Sequence, residues 1–196
     1  MLSMNSHPQL PLGLALRDSA RFNSYFPGPN LETVDGLQRS ATGNGEALVY
    51  LAGAAGMGKT HLLQAACYDA AQSGRTTGYL PLQELLVYTA TVFDDLEQLD
   101  LICIDDVTAI AGRDDCERGL FDLFNRARQS GGTLLIAGDR RADQAGFRLP
   151  DLVSRLGWGV TYVLKPLDDV AVTAALVCRA RARGLQLPCE TAQYLL

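Results

Sequence analysis

Gly53-Ala54-Ala55-Gly56-Met57-Gly58-Lys59-Thr60 stands between an apolar run, Ala47–Ala52, and a segment of helical apolar spacing. A G-x-x-x-x-G-K-T sequence placed after a strand and opening a helix commits the chain to a strand, a tight loop and a helix in that order. It also sets the ligand class, a nucleoside triphosphate or diphosphate with magnesium. Gly53, Gly56 and Gly58 let the backbone turn and point its N–H groups at phosphate oxygens, with Ala54, Ala55 and Met57 completing the cradle. The helix that starts near Lys59 adds its N-terminal field. Lys59 is expected to reach the β- and γ-phosphates, and Thr60 to give its hydroxyl to magnesium. His61 follows directly and is counted with the loop, where it packs or caps; neither it nor His7 has a partner cluster that points to chemistry.

The rest of the chain alternates apolar strands with helical patterns. Strands are expected at Ala47–Ala52, Thr76–Leu80, Asp100–Asp105, Thr133–Ala137 and Gly159–Leu164. Helices are expected around Leu31–Ser40, Lys59–Gln72, Leu82–Tyr88, Cys116–Ser130, Leu152–Leu156, Asp168–Arg183 and from Glu190 on. Leu101-Ile102-Cys103-Ile104 has the continuous apolar pattern of a strand buried on both faces. The alternation predicts an α/β fold, a parallel five-stranded sheet with helices on both sides. Residues 21–165 are expected to form this nucleotide-binding domain and 166–196 the start of a helical lid. Residues 1–20 read as a leader, in which Leu10, Leu12, Leu14 and Leu16 alternate with other residues as a strand or a docking peptide would.

At 196 residues, 47% hydrophobic and 20% charged, the chain is globular rather than disordered. With 17 Lys and Arg against 22 Asp and Glu, the net charge of −5 argues against an extended nucleic-acid face. The five cysteines form no C-x-x-C pair, which favours reduced thiols and a cytoplasmic protein without a cysteine-held metal. Met1–Leu12 lacks the pattern of a signal peptide, and no apolar stretch is long enough to span a membrane.

Ligands of a parallel sheet sit beyond the carboxyl ends of its strands. Asp105 and Asp106 end one such strand: Asp105 is expected to hold magnesium, and Asp106 to polarise the attacking water or tune the metal. Asp139 ends the next strand, where it contacts the γ-phosphate or the water, or forms a surface turn; Arg140 and Arg141 lie one step out. Phe22, Tyr25 and Phe26, with Asn30 beyond the Pro-Gly-Pro turn, either wrap the adenine and ribose or pin the N-terminal segment to the core. Arg155, among apolar neighbours, forms a surface ion pair or reaches a nucleotide on another molecule.

Together, Phe22-Asn23-Ser24-Tyr25-Phe26, Gly28-Pro29-Asn30, GAAGMGKTH, LICIDD, LLIAGDR and LPDLVSRL resemble the AAA+ domain of the DnaA family of bacterial replication initiators. Within that family the chain looks more like the regulatory inactivators called Hda. The resemblance covers about residues 9–196. It implies that Gly53–Thr60 is the Walker A loop, Asp105 and Asp106 the Walker B acids, Asp139 the sensor 1 position and Arg155 the arginine finger. An initiator is expected to carry a long preceding region and a C-terminal duplex-binding domain. Here Gln9-Leu10-Pro11-Leu12-Gly13-Leu14 resembles instead the β sliding-clamp motif at the front of the inactivators. A glutamine amide and spaced leucines suit a groove with apolar pockets.

The resemblance implies adenine nucleotide, ADP or ATP with Mg2+, as ligand, and a homo-oligomer. It implies as partners the β clamp, DnaA, and DNA indirectly through the clamp. The implied activity is stimulation of hydrolysis of DnaA-bound ATP, which prevents re-initiation. Family members are typically active with ADP bound. The family lid continues past Leu196 with a sensor 2 arginine, so the chain is expected to be a shortened or partial form. Two other classes remain open: an initiator or loader module that assembles on DNA with ATP, and a P-loop kinase or ATPase acting on a small molecule. The negative charge speaks against the former, Arg155 and Gln9–Leu14 against the latter.

Overall fold

The computed structural model describes residues 20–85, 90–182 and 184–194. Its strands are β1 (Leu48–Ala52), β2 (Thr77–Pro81), β3 (Leu101–Asp105), β4 (Thr133–Gly138) and β5 (Val160–Val163). They form one sheet in the order β2-β3-β4-β1-β5, every neighbouring pair parallel. The helices are α1 (Leu31–Ala41), α2 (Lys59–Gln72), α3 (Leu82–Leu85), α4 (Asp114–Ser130), α5 (Pro150–Leu156), α6 (Asp169–Ala182) and α7 (Cys189–Tyr194). The expected α/β P-loop architecture is the one observed. Gln9–Leu14 lies outside the described residues.

Strand side chains alternate between two cores, as the period of 2 requires. Leu48, Tyr50, Ile102, Ile104, Leu134 and Ile136 face α4 and α5 through Leu120, Leu123, Phe124, Leu152 and Leu156. Val49, Leu51, Leu101, Cys103, Leu135 and Ala137 face α1 and α2 through Leu37, Ala41, Leu62, Leu63, Ala66 and Ala70. β1, β3 and β4 are buried along their whole length, which is why their sequences read as unbroken apolar runs. α2 is buried on much of its circumference, and small Ala65, Ala66 and Ala70 let it lie close to the sheet. α4 begins before its apolar stripe does, because Asp114, Asp115 and Glu117 suit the positive end of a helix.

Because all strands run one way, their C-terminal ends share one edge. α2 leaves β1 on one face, and α4 enters β4 from the other. The loops after β1, β3 and β4 therefore meet at that edge, the side of a parallel sheet where ligands bind. At the rim, Asn30 ties the N-terminal segment to the end of β5. Its amide nitrogen donates to the Lys165 carbonyl at 2.9 Å, and its amide oxygen accepts from the Lys165 N–H at 2.7 Å. Beyond β5, Asp168 caps α6 by accepting the Ala171 N–H at 2.8 Å, and α6 packs against α7. Among the described residues no helix is long and apolar enough to cross a membrane.

Candidate functional site

The loop after β1 turns back through Gly56 (φ 81°) and Gly58 (φ 85°). A side chain at either would be strained. At Gly58 the contact is also tight, because an added Cβ would sit 2.7 Å from the Tyr25 ring. Around Gly56 the space is open within 4 Å, as a cradle for phosphate needs. Lys59, 8% exposed, folds its amine back over the loop, donating to the Gly53 carbonyl at 2.8 Å and the Ala54 carbonyl at 3.0 Å. The loop is thus closed around its own lysine at the N-terminus of the 14-residue α2, and the amine keeps a third proton for an anion.

Tyr25 and His61 brace the loop from outside. The Tyr25 hydroxyl donates to the Met57 carbonyl at 3.2 Å, and its ring lies 5.8 Å from the His61 ring. Burial raises the Tyr25 pKa, so it remains a donor at neutral pH. His61 Nε2 lies 2.9 Å from the Arg21 carbonyl and 3.3 Å from Ser24 Oγ. Phe22 packs in the core on the α2 side, and Asn30 spends both ends of its amide on Lys165. In this structure, then, Phe22 and Asn30 anchor the segment that carries Tyr25.

Asp105 is 1% exposed and held by three donors. Thr60 Oγ1 donates to its Oδ2 at 2.6 Å, Tyr79 OH to the same oxygen at 2.8 Å, and the Asp106 N–H to Oδ1 at 3.0 Å. A buried carboxylate without such donors is very costly. Because Thr60 gives its proton to Asp105, the lone pairs of its hydroxyl oxygen remain for a cation. Among the described residues no cluster of three or more acidic, His or Cys side chains is built to hold a metal. Magnesium does not need one: it takes one or two protein oxygens and completes its shell with water and phosphate oxygens. The residues present therefore fit Mg2+–nucleotide, with Gly53–Lys59 on the phosphates and Thr60 with Asp105 at the metal. The group would supply the charge that neutralises the phosphate chain.

Tyr79 was not among the sequence-derived site residues. Burial, and then the charge of Asp105, drive its pKa up. Asp106 adopts a left-handed backbone (φ 53°), a region Asp and Asn visit more readily than other side chains. Its carboxyl pKa is raised, first by burial and next by the charge of Asp105, with Lys59 opposing. A raised carboxyl pKa means that the folded state loses stability as pH rises through it. Asp106→Asn is therefore expected to raise the melting temperature of the ligand-free protein at pH 7. The gain should vanish below about pH 3, under the usual carboxylate range, where both side chains are neutral. Melts at the two pH values check this; a gain that persists in acid would exclude charge as its cause.

β4 lies between β3 and β1, so Asp139 follows the strand next to both site strands. Its carboxylate is exposed and paired with Arg140 at 2.7 Å. The hydrogen bond from Arg140 is the largest of the influences that lower its pKa. Arg141 pairs with Asp143 at 3.5 Å, also on the surface.

Arg155 on α5 is not part of this cluster. Its guanidinium stacks 3.8 Å from the centroid of the Trp158 ring and 5.9 Å from that of Phe121. Trp158 is 54% exposed and is also covered by Arg128 at 4.8 Å. Among the described residues no carboxylate pairs with Arg155, so the surface ion pair considered from sequence does not form there. The base of α5 is fixed by Glu117, a fully buried carboxylate on α4. It accepts the N–H groups of Gly112 at 2.6 Å and of Arg148 and Leu149, both at 2.8 Å. Neither Trp158 nor Glu117 was singled out from sequence.

Residues 19–163 match the bacterial DnaA ATPase domain. The chain belongs to the bacterial DnaA ATPase-domain family. Solved DnaA structures share its fold. Domain III of the Thermotoga maritima replication initiation protein DnaA is 24% identical with a TM-score of 0.80, over 92% of this chain and 81% of that one. A replication initiator DnaA bound to AMPPCP and single-stranded DNA is 23% identical with a TM-score of 0.80, over 92% and 60%. AMPPCP-bound DnaA from Aquifex aeolicus is 23% identical with a TM-score of 0.79, again over 92% and 60%. At these identities the likeness is one of fold, and the chain spans 60% of the last two. The DnaA-type ATPase domain is thus established, with its phosphate loop between β1 and α2.

Proposed function

We propose that this chain is a cytoplasmic regulatory member of the DnaA family, of the Hda type. It binds ADP or ATP with Mg2+ through Gly53–Thr60 and Asp105. It docks on the DNA-loaded β sliding clamp through Gln9, Leu10, Pro11, Leu12, Gly13 and Leu14. It presents Arg155 to ATP bound on DnaA and stimulates its hydrolysis, which limits re-initiation.

The observation that carries this reading is the position of Arg155. A guanidinium stacked on an exposed tryptophan, outside the chain's own phosphate loop and without an ion-pair partner among the described residues, is suited to a nucleotide on another molecule. The AMPPCP-bound relatives support adenine nucleotide as the ligand. Asp106 and Asp139 serve in this reading as the second Walker B acid and sensor 1. The other reading, a module that assembles on DNA with ATP, has the DNA-bound relative in its favour and the net charge of −5 against it.

The test is hydrolysis of DnaA-bound ATP with and without this chain, on free DNA and on DNA loaded with clamp. Acceleration that requires the clamp is expected. Replacing Gln9, Leu10, Leu12 and Leu14 by alanine should abolish clamp binding and the acceleration while the domain stays folded. Acceleration independent of the clamp would refute the docking peptide. DNA binding without acceleration would favour the assembly module.

A further inference from the structure

We propose that Tyr79 is a positioning residue for the magnesium site: its hydroxyl fixes the rotamer of Asp105 and so sets how tightly the bound nucleotide holds Mg2+. The inference rests on the reading of Gly53–Thr60 and Asp105 as the nucleotide site, and not on the regulatory role.

The registry of β2 on β3 explains why a tyrosine does this. Pro81 is the direct neighbour of Asp105, and Tyr79 is the neighbour of Cys103. Proline has no side-chain donor, so β2 offers nothing polar immediately beside the carboxylate. Two residues back, on the same face, the tyrosine side chain is long enough to lean along the strand and bring its hydroxyl to 2.8 Å from Oδ2. A serine or threonine there would fall short.

Thr60 reaches the same Asp105 oxygen from the first turn of α2. An Asp side chain turns about two bonds, and the Asp106 N–H holds only Oδ1. Tyr79 supplies the donor to Oδ2 that does not belong to the phosphate-loop helix. When Thr60 shifts toward a cation, Tyr79 is what keeps the carboxylate facing it. Groups in this relation to a metal ligand typically contribute about 10-fold or more in metal affinity.

The experiment is a Mg2+ titration of N-methylanthraniloyl-ADP fluorescence on the wild type, Tyr79→Phe, Asp105→Asn and the double variant, with parallel binding in EDTA. Tyr79→Phe keeps the ring and its packing and removes only the donor. It is expected to weaken Mg2+ affinity of the nucleotide complex about 10-fold and to leave binding in EDTA unchanged. In the Asp105→Asn background the same change should cost nothing further, because the two residues act as one unit. An unchanged Mg2+ titration would overturn the proposal. So would an equal loss with and without Mg2+, the mark of a merely structural residue. Failure of the wild type to bind the nucleotide at all would instead remove the site reading, and this proposal with it.

Discussion

Lys59→Ala is expected to weaken adenine nucleotide binding by about 100-fold, the effect of losing one or two charge-assisted hydrogen bonds of about 1.5–3 kcal/mol each to phosphate oxygens. The loop's own geometry supports a large loss. In the ligand-free arrangement the amine is held by the carbonyls of Gly53 and Ala54, at the mouth of the cradle. It needs only to exchange those acceptors for phosphate oxygens, with little ordering still to be done, so most of the interaction shows as affinity. The same contacts mean that alanine leaves two carbonyls without their donor. Ala54 is exposed and can turn to water, whereas Gly53 is buried. A modest drop in melting temperature should accompany the lost affinity. Calorimetric titration with ADP and ATP, beside a thermal melt, separates the two effects. Affinity that survives in a folded variant would mean that the Gly53–Thr60 loop is not where nucleotide binds.

What could be read from the sequence was mostly what is local. The bounds of α2, Lys59–Gln72, agree with the expectation because lysine opens the helix after a glycine and Ser73-Gly74 closes it. β3 and β4 differ from their expected ranges by a residue at one end, since unbroken apolar runs mark buried strands well. α5 starts at Pro150 rather than Leu152, a position proline favours and an apolar-periodicity reading passes over. Strand order is of another kind. Apolarity says that β1 is covered on both faces, but not that β4 and β5 are its neighbours; that depends on which helix crosses which face.

The same limit applies to the site. Thr60 and Asp105 could be placed together because motif and strand end point to one edge. Tyr79 could not, because its role comes from being offset from Pro81 across two strands. The one available signal was a tyrosine in a strand, whose hydroxyl must find a partner once buried. Glu117 and Trp158 are similar cases: one acid among several on an amphipathic helix and a lone tryptophan between two glycines look ordinary until the chain between them is folded.

Arg155→Ala is expected to leave this chain's own nucleotide affinity unchanged while removing its stimulation of ATP hydrolysis on DnaA, by about 1,000-fold if Arg155 acts as a finger. In that reaction water attacks the γ-phosphorus and the bond to the β–γ bridging oxygen breaks, so charge gathers on oxygens that a guanidinium can reach from outside. The stack on Trp158 holds the guanidinium plane without consuming its in-plane N–H donors, which a carboxylate partner would do. Arg155→Lys should fail nearly as fully, since a lysine keeps the charge but neither the flat stack nor the two-pronged donation. Single-turnover hydrolysis with DnaA preloaded with ATP, on clamp-loaded DNA, measures the effect directly. Retained stimulation by the alanine variant would show that another group contacts the transition state. Lost nucleotide binding by this chain itself would place Arg155 in its own site rather than in its partner's.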